Sequence, residues 1–515
     1  MARLSNMLYT VSVLTACSFF AGCGGASFPA TMVSTTQNPL VAQYYVATAS
    51  AGQAMVEFGT DTTYGRQTAW YPLTSGNGNG GVSVNILVAG MKPNTAYHMR
   101  AQFSGQGISW TDGDHIFKTG PLPSPPPKLT VTRPNPSLSS TENPGIEVLS
   151  LIGTGNQLHA LYTDRDANPI WYYDVGAANG DLPTMMKLIP TGHIVLLMGN
   201  STAGTSWLRE VDLAGNTIRD LTTVQLNQKL QGAGFNLASQ GFHHDVLPLS
   251  NGHFIALIGV NKSFTNLPGR RGNTVVVGDG LVDLDQNWNP VWTWSAFDYL
   301  DVNRYLNGLP DWTHSNAMVY SPSDGNLLLS MRNQAWILKI DYANGSGKGD
   351  VLWRLGNDGD FSVSGGDPAE WFYFQHFPSI ISQNGSQDVL SVWDNGNLRQ
   401  NADGTVCNQN NAFSCHSRAT IFQIDESSRL ATLQWQDLPG FFSFWGGSMG
   451  QLGNGNIEFD LCDPLTPPAT GVVSEVQEVT QTSNPQVVWK MDIDTFNAYR
   501  AYRVPSLYPG VSWKY

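Results

Sequence analysis

What most restricts this sequence is a half-motif that recurs through most of its length: an apolar strand, an Asp with a polar turn, then a strand that usually carries a Trp. It reads ANPIWYYDV around Trp171, GNTIRDLT around Arg219, WNPVWTWS around Trp292, GDVLWRLG around Trp353, LATLQWQDL around Trp435 and NPQVVWKMD around Trp489. A second half-motif sets two apolar strands about a Gly-containing turn: LIPTGHIVLL, LPLSNGHFIAL, VYSPSDGNLLLS, IISQNGSQDVLSV and GQLGNGNIEFDL. Apolar runs around Asn-Gly and Asp-Gly are hairpin signals, because glycine supplies the positive φ that a tight turn needs. Units of roughly 45 to 80 residues with four short strands and no convincing amphipathic helix predict a β-propeller. The six copies predict six blades. The uneven spacing leaves insertions at 222–240 and 397–416, expected to roof one face of the ring.

Composition agrees with an all-β chain. At 515 residues and 41% hydrophobic content a large core can be buried, while 13% charged residues, 53 Gly and 16 Trp suit a turn-rich β protein. A net charge of −13 argues against a nucleic-acid partner, since phosphate binding needs an electropositive surface. Ahead of the repeats, short alternating strands predict a small β-sandwich over residues 23–120. Its segment GMKPNTAYHMR, 90–100, resembles the corner of fibronectin type III domains, with Tyr97 as the corner tyrosine. Successive prolines at 121–127 favour an extended chain, so 121–136 is read as a stiff linker and 137–515 as the six-bladed domain. At the other end, Arg3 followed by an apolar run from Met7 to Ala21 is too short to span a bilayer and right for an export signal over 1–22. Phe20-Ala21-Gly22-Cys23 resembles a lipoprotein box, and Cys23 is followed by a Gly-Gly-Ala-Ser tether; Leu14-Thr15-Ala16-Cys17 also fits. The expectation is an exported protein, periplasmic or held at the outer membrane, touching the membrane only through a lipid on Cys23.

If the first strand of each blade lines a central channel, equivalent repeat positions meet there. Those positions carry His243-His244, His314 and His376, with Met185-Met186 in the second unit and Trp445-Gly446 in the sixth. Either of His243 and His244 can be the one that faces inward. The stretch DWTHSNAMVYSPSDGNLLLSMR, 311–332, is read as one blade. His314 and Asn316, two apart at a strand start, are expected to share a face, and Arg332 follows the strand after them. An imidazole, an amide and a guanidinium would then converge on one anionic group. His159, His193 and His253 are read as packing residues, His98 and His115 as parts of the sandwich, and His416 as a residue of a polar loop.

Taken together, the HHDV, DWTHSN, SMRNQ, LWRLG, FQHFP and WDNGN stretches resemble bacterial arylsulfate sulfotransferases, from the sandwich through the ring. The resemblance implies transfer of a sulfuryl group from a phenolic sulfate ester to a phenol through a sulfated histidine, with neither nucleotide donor nor cofactor. It makes His376 the nucleophile, and His244, His314, Asn316 and Arg332 the anion-binding and proton-handling set. No Gly-rich loop precedes a helix to seat a nucleotide donor. Some members carry a cysteine pair just before the nucleophile, where 356–375 has none. Cys407 and Cys415 lie after it and are expected to bond, closing a short loop for about 3 kcal/mol; Cys462 is left over. Two other readings use the same residues. A metal hydrolase would ligate its ion with His244, His314 and His376, although Arg332 beside a cation is repelled. An exported binding module explains the architecture but not the histidines. Replacing Cys23 with Ser is expected to abolish lipid attachment, and mass spectrometry finding the same lipid mass on that variant would move the anchor elsewhere.

Overall fold

The computed structural model describes residues 28–76, 80–153, 158–174, 181–200, 202–365, 370–465 and 472–513. The export signal and both candidate lipidation cysteines, Cys17 and Cys23, lie outside the described residues. The described chain is all-β, with eight sheets that are antiparallel except where the short strand Ser362–Ser364 runs parallel to Leu430–Asp437.

Two sheets form from the first part of the chain. One pairs Ala30–Thr35, Ala42–Thr48 and Val82–Val88, and the other is built on Gly52–Gly59 and Ala96–Gly105. Their alternating apolar residues, among them Tyr44, Val46, Val56, Phe58 and Met99, are buried together. The Tyr97 hydroxyl accepts the Lys92 N–H at 2.9 Å, tying a turn back onto its strand.

The six other sheets take all six copies of the Trp-bearing half-motif as their fourth strands, from Pro169–Tyr173 round to Val487–Asp494. Their inner strands are β1 (Asp181–Leu188), β2 (Gly241–Pro248), β3 (Ser315–Ser321), β4 (His376–Asn384), β5 (Ser448–Gln451) and β6 (Asn497–Val504). β1 touches β2, β2 touches β3, and so on to β6, which touches β1. Near-continuous apolar strands are what this arrangement needs, since both faces of each sheet are covered. Leu327, Leu329 and Met331 pack with Trp292 and Trp294 on one side, while Leu328 packs with Leu390 and Phe422 on the other.

Several local expectations change. The sheet containing His314's strand runs from Ser315 to Gly356, so 311–332 is only its first half, and Asp311 instead bridges Val277 of the neighbouring sheet. The insertion after Thr222 holds a helix, α1 (Thr223–Gly232), started by a Thr222–Gln225 capping box. Its two buried apolar residues, Leu226 and Leu230, pack with Leu221 and Trp288, so it flanks outer strands and is no roof. Within the expected linker, Leu129–Thr132 pairs with Val487–Asp494 as a fifth strand. After β6 the chain returns to the sandwich. The Tyr508 hydroxyl accepts from Ala89 N–H at 2.7 Å, and Trp513 lies edge-on to Phe58 with ring centroids 5.8 Å apart. Gly90 is required there: it sits at φ 99°, and a Cβ would lie 2.3 Å from the Trp513 ring.

β6 joins the two ends of the six-sheet unit by pairing with Ile146–Ile152. One guanidinium secures that junction. Arg503 on β6 binds Glu147 of the adjacent strand, Glu458 at 3.2 Å, and Glu478 of the preceding sheet. All are buried, and burial together with the neighbouring Glu147 charge pushes Glu458 far above the usual carboxyl range. Removing the only cation from this group strands buried carboxylates, so Arg503→Met is expected to cost about 3–5 kcal/mol, read as a lower midpoint in urea unfolding.

Candidate active site

The inner strands are irregular where they begin. In β2 the register slips between Phe242 and Val246, in β3 between Ser315 and Ala317, and in β4 between His376 and Ser379. His244, His314, Phe374 and Phe377 all have left-handed backbones, with φ of 55°, 48°, 56° and 45°. Such conformations cost non-glycine residues about 1–3 kcal/mol each and persist only where packing enforces them. Bulges re-aim side chains. Here they turn the imidazoles of β2, the lead-in to β3, and β4 toward one another.

The His244 and His314 rings lie 4.8 Å apart between centroids, and Tyr499 of β6 sits 5.8 Å from His244 and 6.2 Å from His376. His376 is buried, and its Nδ1 lies 2.7 Å from Asn395 Oδ1. The Asn395 amide nitrogen donates to the carbonyls of Ser443 and Gly446 at 2.7 and 3.0 Å, which fixes which end faces His376. An oxygen can only accept, so the His376 proton is on Nδ1 and the Nε2 lone pair is free. His314 Nδ1 faces Asp311 Oδ2 at 2.6 Å, which puts a proton on that nitrogen.

Arg332 is the charged member. Its Nη1 donates to Asn333 Oδ1 at 2.9 Å and its Nη2 to Phe444 O at 3.1 Å; the Nε finds no partner, and among the described residues it forms no ion pair. The guanidinium stacks 4.7 Å over Phe374. Burial pushes its pKa down to about 10. A buried cation without a carboxylate is costly, and a bound anion removes that cost. Burial first, and then the Arg332 charge, drives His376 well below the ordinary histidine range, so the imidazole is neutral. Burial and the neighbouring His314 do the same to His244.

Asn316 behaves differently from its expected role. The left-handed His314 and the bulge at Asn316 break the alternation that was to put both on one face. The Asn316 amide donates to Gln375 O at 2.8 Å, bracing the residue before the nucleophile candidate. Gln375 is braced again by donation to Trp336 O at 2.8 Å. His243 is drawn to Asp279 at 3.2 Å, and the inward ring is His244. Met185 and Met186 are in the sheet cores. Thr184 takes their place beside the site, lining with His243, His244, Phe242, Trp445 and Tyr499 a mostly apolar cavity of about 290 Å³.

The remaining histidines serve the fold. His193 and His253 meet Glu210 and Asp283, His98 and His115 meet Asp114 and Asp112, and His159 meets the Leu151 carbonyl. His416 stands beside Arg399, away from the imidazole group. Cys407 and Cys415 are joined in a disulfide with Cα atoms 5.5 Å apart, and Cys462 is free and buried. The disulfide packs with Phe442, two residues from the Phe444 carbonyl that holds Arg332. Among the described residues no three His, Cys, Asp or Glu side chains are grouped as a metal ion requires, so His244, His314 and His376 do not make the ligand set considered above. Tyr499, Arg500, Asn395 and Asp279 were not anticipated. The available signal was the AYRAYRV run, which puts two arginines on an otherwise aromatic and aliphatic last strand.

An all-β chain that gathers imidazoles and an uncompensated guanidinium beside an aromatic cavity is built to receive a small anion attached to a ring. A model of the arylsulfotransferase (ASST) family matches residues 137–502, and the chain belongs to that family. Arylsulfotransferase activity, with aryl sulfate and phenol as substrates, follows from the membership. No curated protein matches the chain significantly. Among solved structures it is similar to a DUF4784 family protein of Bacteroides caccae, at 10% identity over 87% of this chain and 91% of that one, with a TM-score of 0.31. It is also similar to a DUF4221 family protein of Bacteroides vulgatus, at 7% identity over 73% and 97%, with a TM-score of 0.30. Drosophila Semaphorin 1b extracellular domains match at 10% identity over 75% and 84%, also with a TM-score of 0.30. Likenesses of this size carry no argument about function.

Because burial and Arg332 both disfavour the imidazolium, His376 is expected to stay reactive below the ordinary histidine pKa of about 6.5. Arg332→Met relieves one of the two causes, so the acid-side midpoint of sulfuryl uptake should move upward, read from the pH dependence of single-turnover phenol release.

Proposed function

We propose that this protein is an exported aryl sulfate:phenol sulfotransferase that needs no nucleotide and works through a sulfated His376. We infer further that the six sheets are the blades of a β-propeller behind a fibronectin type III-like sandwich, and that the imidazole group lies at the propeller's centre. The observation that carries the reading is the clamp on His376: Nδ1 is held by the fixed Asn395 amide, and the neutral ring keeps its Nε2 lone pair beside an arginine that forms no ion pair among the described residues.

The chemistry divides one substitution into two. An aryl sulfate enters with its ring in the apolar cavity and its sulfuryl oxygens toward Arg332. Nε2 of His376 attacks sulfur, the S–O bond to the phenol breaks, and the leaving oxygen takes a proton that the His244–His314 pair acquired from water when the anionic ester bound. A second phenol returns that proton to the pair as its oxygen displaces His376. Arg332 stabilises the sulfuryl oxygens in both steps. Asn316 and Asn395 position the nucleophile and leave the sulfur alone. The export signal and lipidated Cys23 put this chemistry outside the cytoplasmic nucleotide pool, in keeping with an ester donor.

Mixing enzyme with an aryl sulfate alone should release about one equivalent of phenol per site in a burst. The tryptic peptide containing Phe374-Gln375-His376 should then gain the mass of one sulfuryl group. His376→Ala is expected to abolish the burst. Arg332→Lys keeps the charge but loses the planar fork, so turnover should fall about ten- to a thousandfold. A label on another residue, or transfer with no labelled enzyme, would remove His376 from this role.

A further inference from the structure

Behind His244 stands a second histidine and, behind that, a buried carboxylate. His243 Nδ1 lies 2.8 Å from His244 Nδ1, and His243 Nε2 lies 3.2 Å from Asp279 Oδ1. Asp279 is itself fixed from the far side, its Oδ2 accepting from the Thr313 hydroxyl at 2.6 Å and from the Ser315 N–H at 2.5 Å. It is 3% exposed, and it keeps its charge because the His243 contact and these donors outweigh its burial.

The hydrogen positions along the chain follow from the Asp279 end. A carboxylate only accepts, so the proton between Asp279 and His243 is on His243 Nε2. In neutral His243 the Nδ1 is then the acceptor, and the proton between the two histidines belongs to His244 Nδ1. The remaining nitrogen of His244, Nε2, is left with its lone pair. His244 also lines the apolar cavity with Trp445 and Tyr499.

We propose that Asp279 and His243 hold His244 in the tautomer whose Nε2 exchanges the phenol proton, which makes His244 the acid–base partner of the transfer and the other two its positioning residues. The inference rests on the reading of His376 as nucleophile. Binding of the anionic ester lets His244 Nε2 take up a proton from water, and in the donor step Nε2–H gives that proton to the phenol oxygen as S–O breaks and S–N forms. In the acceptor step, Nε2 takes the proton of the incoming phenol as S–N breaks and the new S–O forms. Between them His244 alternates between cation and neutral ring. The cation is stabilised through His243 by the fixed Asp279 charge and by the bound sulfuryl group. His314 leans on Asp311, whose side chain is 47% exposed, so water weakens that carboxylate's hold far more.

The test compares two donors on His243→Phe, which keeps an aromatic ring and removes both nitrogens. 4-Nitrophenyl sulfate releases a phenolate that needs no proton, and unsubstituted phenyl sulfate releases one that does. The burst rate with phenyl sulfate should fall about a hundredfold further than the rate with the nitrophenyl ester, a typical loss for a general acid. Asp279→Asn, which keeps an acceptor for Ser315, should shift the two donors apart in the same direction. Nitrogen-15 NMR should show His244 as the Nδ1–H form in the parent and as a mixture in His243→Phe. Equal slowing of both esters, no slowing of either, or an unchanged His244 spectrum would overturn the proposal. Absence of the burst in the parent enzyme would instead bring down the His376 reading.

Discussion

The buried carboxylate of Asp245 ties several inner strands to one another. It leaves β2 directly after His244 and meets Lys187 of β1 at 2.6 Å, Arg500 of β6 at 3.1 Å and the Met318 N–H of β3 at 2.9 Å. Four inner strands from four sheets therefore depend on one residue for their mutual position. Two cations share that one anion in a nearly dry setting, where the attraction is strong and an unmatched charge is expensive. The Lys187 pKa is lowered by burial, with Asp245 working against that shift and the nearby Arg500 reinforcing it. Arg500 also donates to the Asn316 carbonyl, extending the hold to the residue that braces Gln375.

That central clamp explains how the backbone beside it tolerates so much strain. Left-handed His244 and His314, and the left-handed Phe374 and Phe377 either side of His376, would relax toward extended geometry in a loose setting. Phe374 is pinned under the Arg332 guanidinium and Phe377 under that of Arg500 at 4.8 Å. Packing over-determines these residues, and the strain is what turns their neighbours' side chains inward. The same economy separates the imidazoles by partner. His376 has a neutral amide behind it, whereas His314 and, through His243, His244 have carboxylates behind them.

Much of this was legible in the sequence because the repeat is a statement about strands. All six copies of this half-motif, five of them bearing a Trp, became fourth strands, since an apolar run after a polar turn has one stable place in an antiparallel hairpin. His244, His314, His376 and Arg332 could be singled out because like positions in successive repeats meet. What escaped was whatever depended on departures from regularity. Period-two alternation assigned Asn316 to the face of His314, but a bulge sits at that residue. Tyr499 and Arg500 were overlooked because β6 pairs with a strand some 350 residues earlier in the chain, and local pattern says nothing about so distant a neighbour. Asn395 follows Asp394 in a polar turn that reads as a loop, and its value lies in a carbonyl cage supplied by Ser443 and Gly446.

The closing strand has a consequence for timing. Tyr499, Arg500 and Arg503 are among the last of the described residues to be synthesised, yet they touch His244, Asp245 and Glu147 from far earlier in the chain. A nascent polypeptide can complete the hairpins of most sheets as it emerges, because those contacts are local. Tyr499 and Arg500 cannot reach the imidazole group until β6 arrives, so any product truncated before Tyr499 would have most of the fold's strands and an open wall beside the histidines.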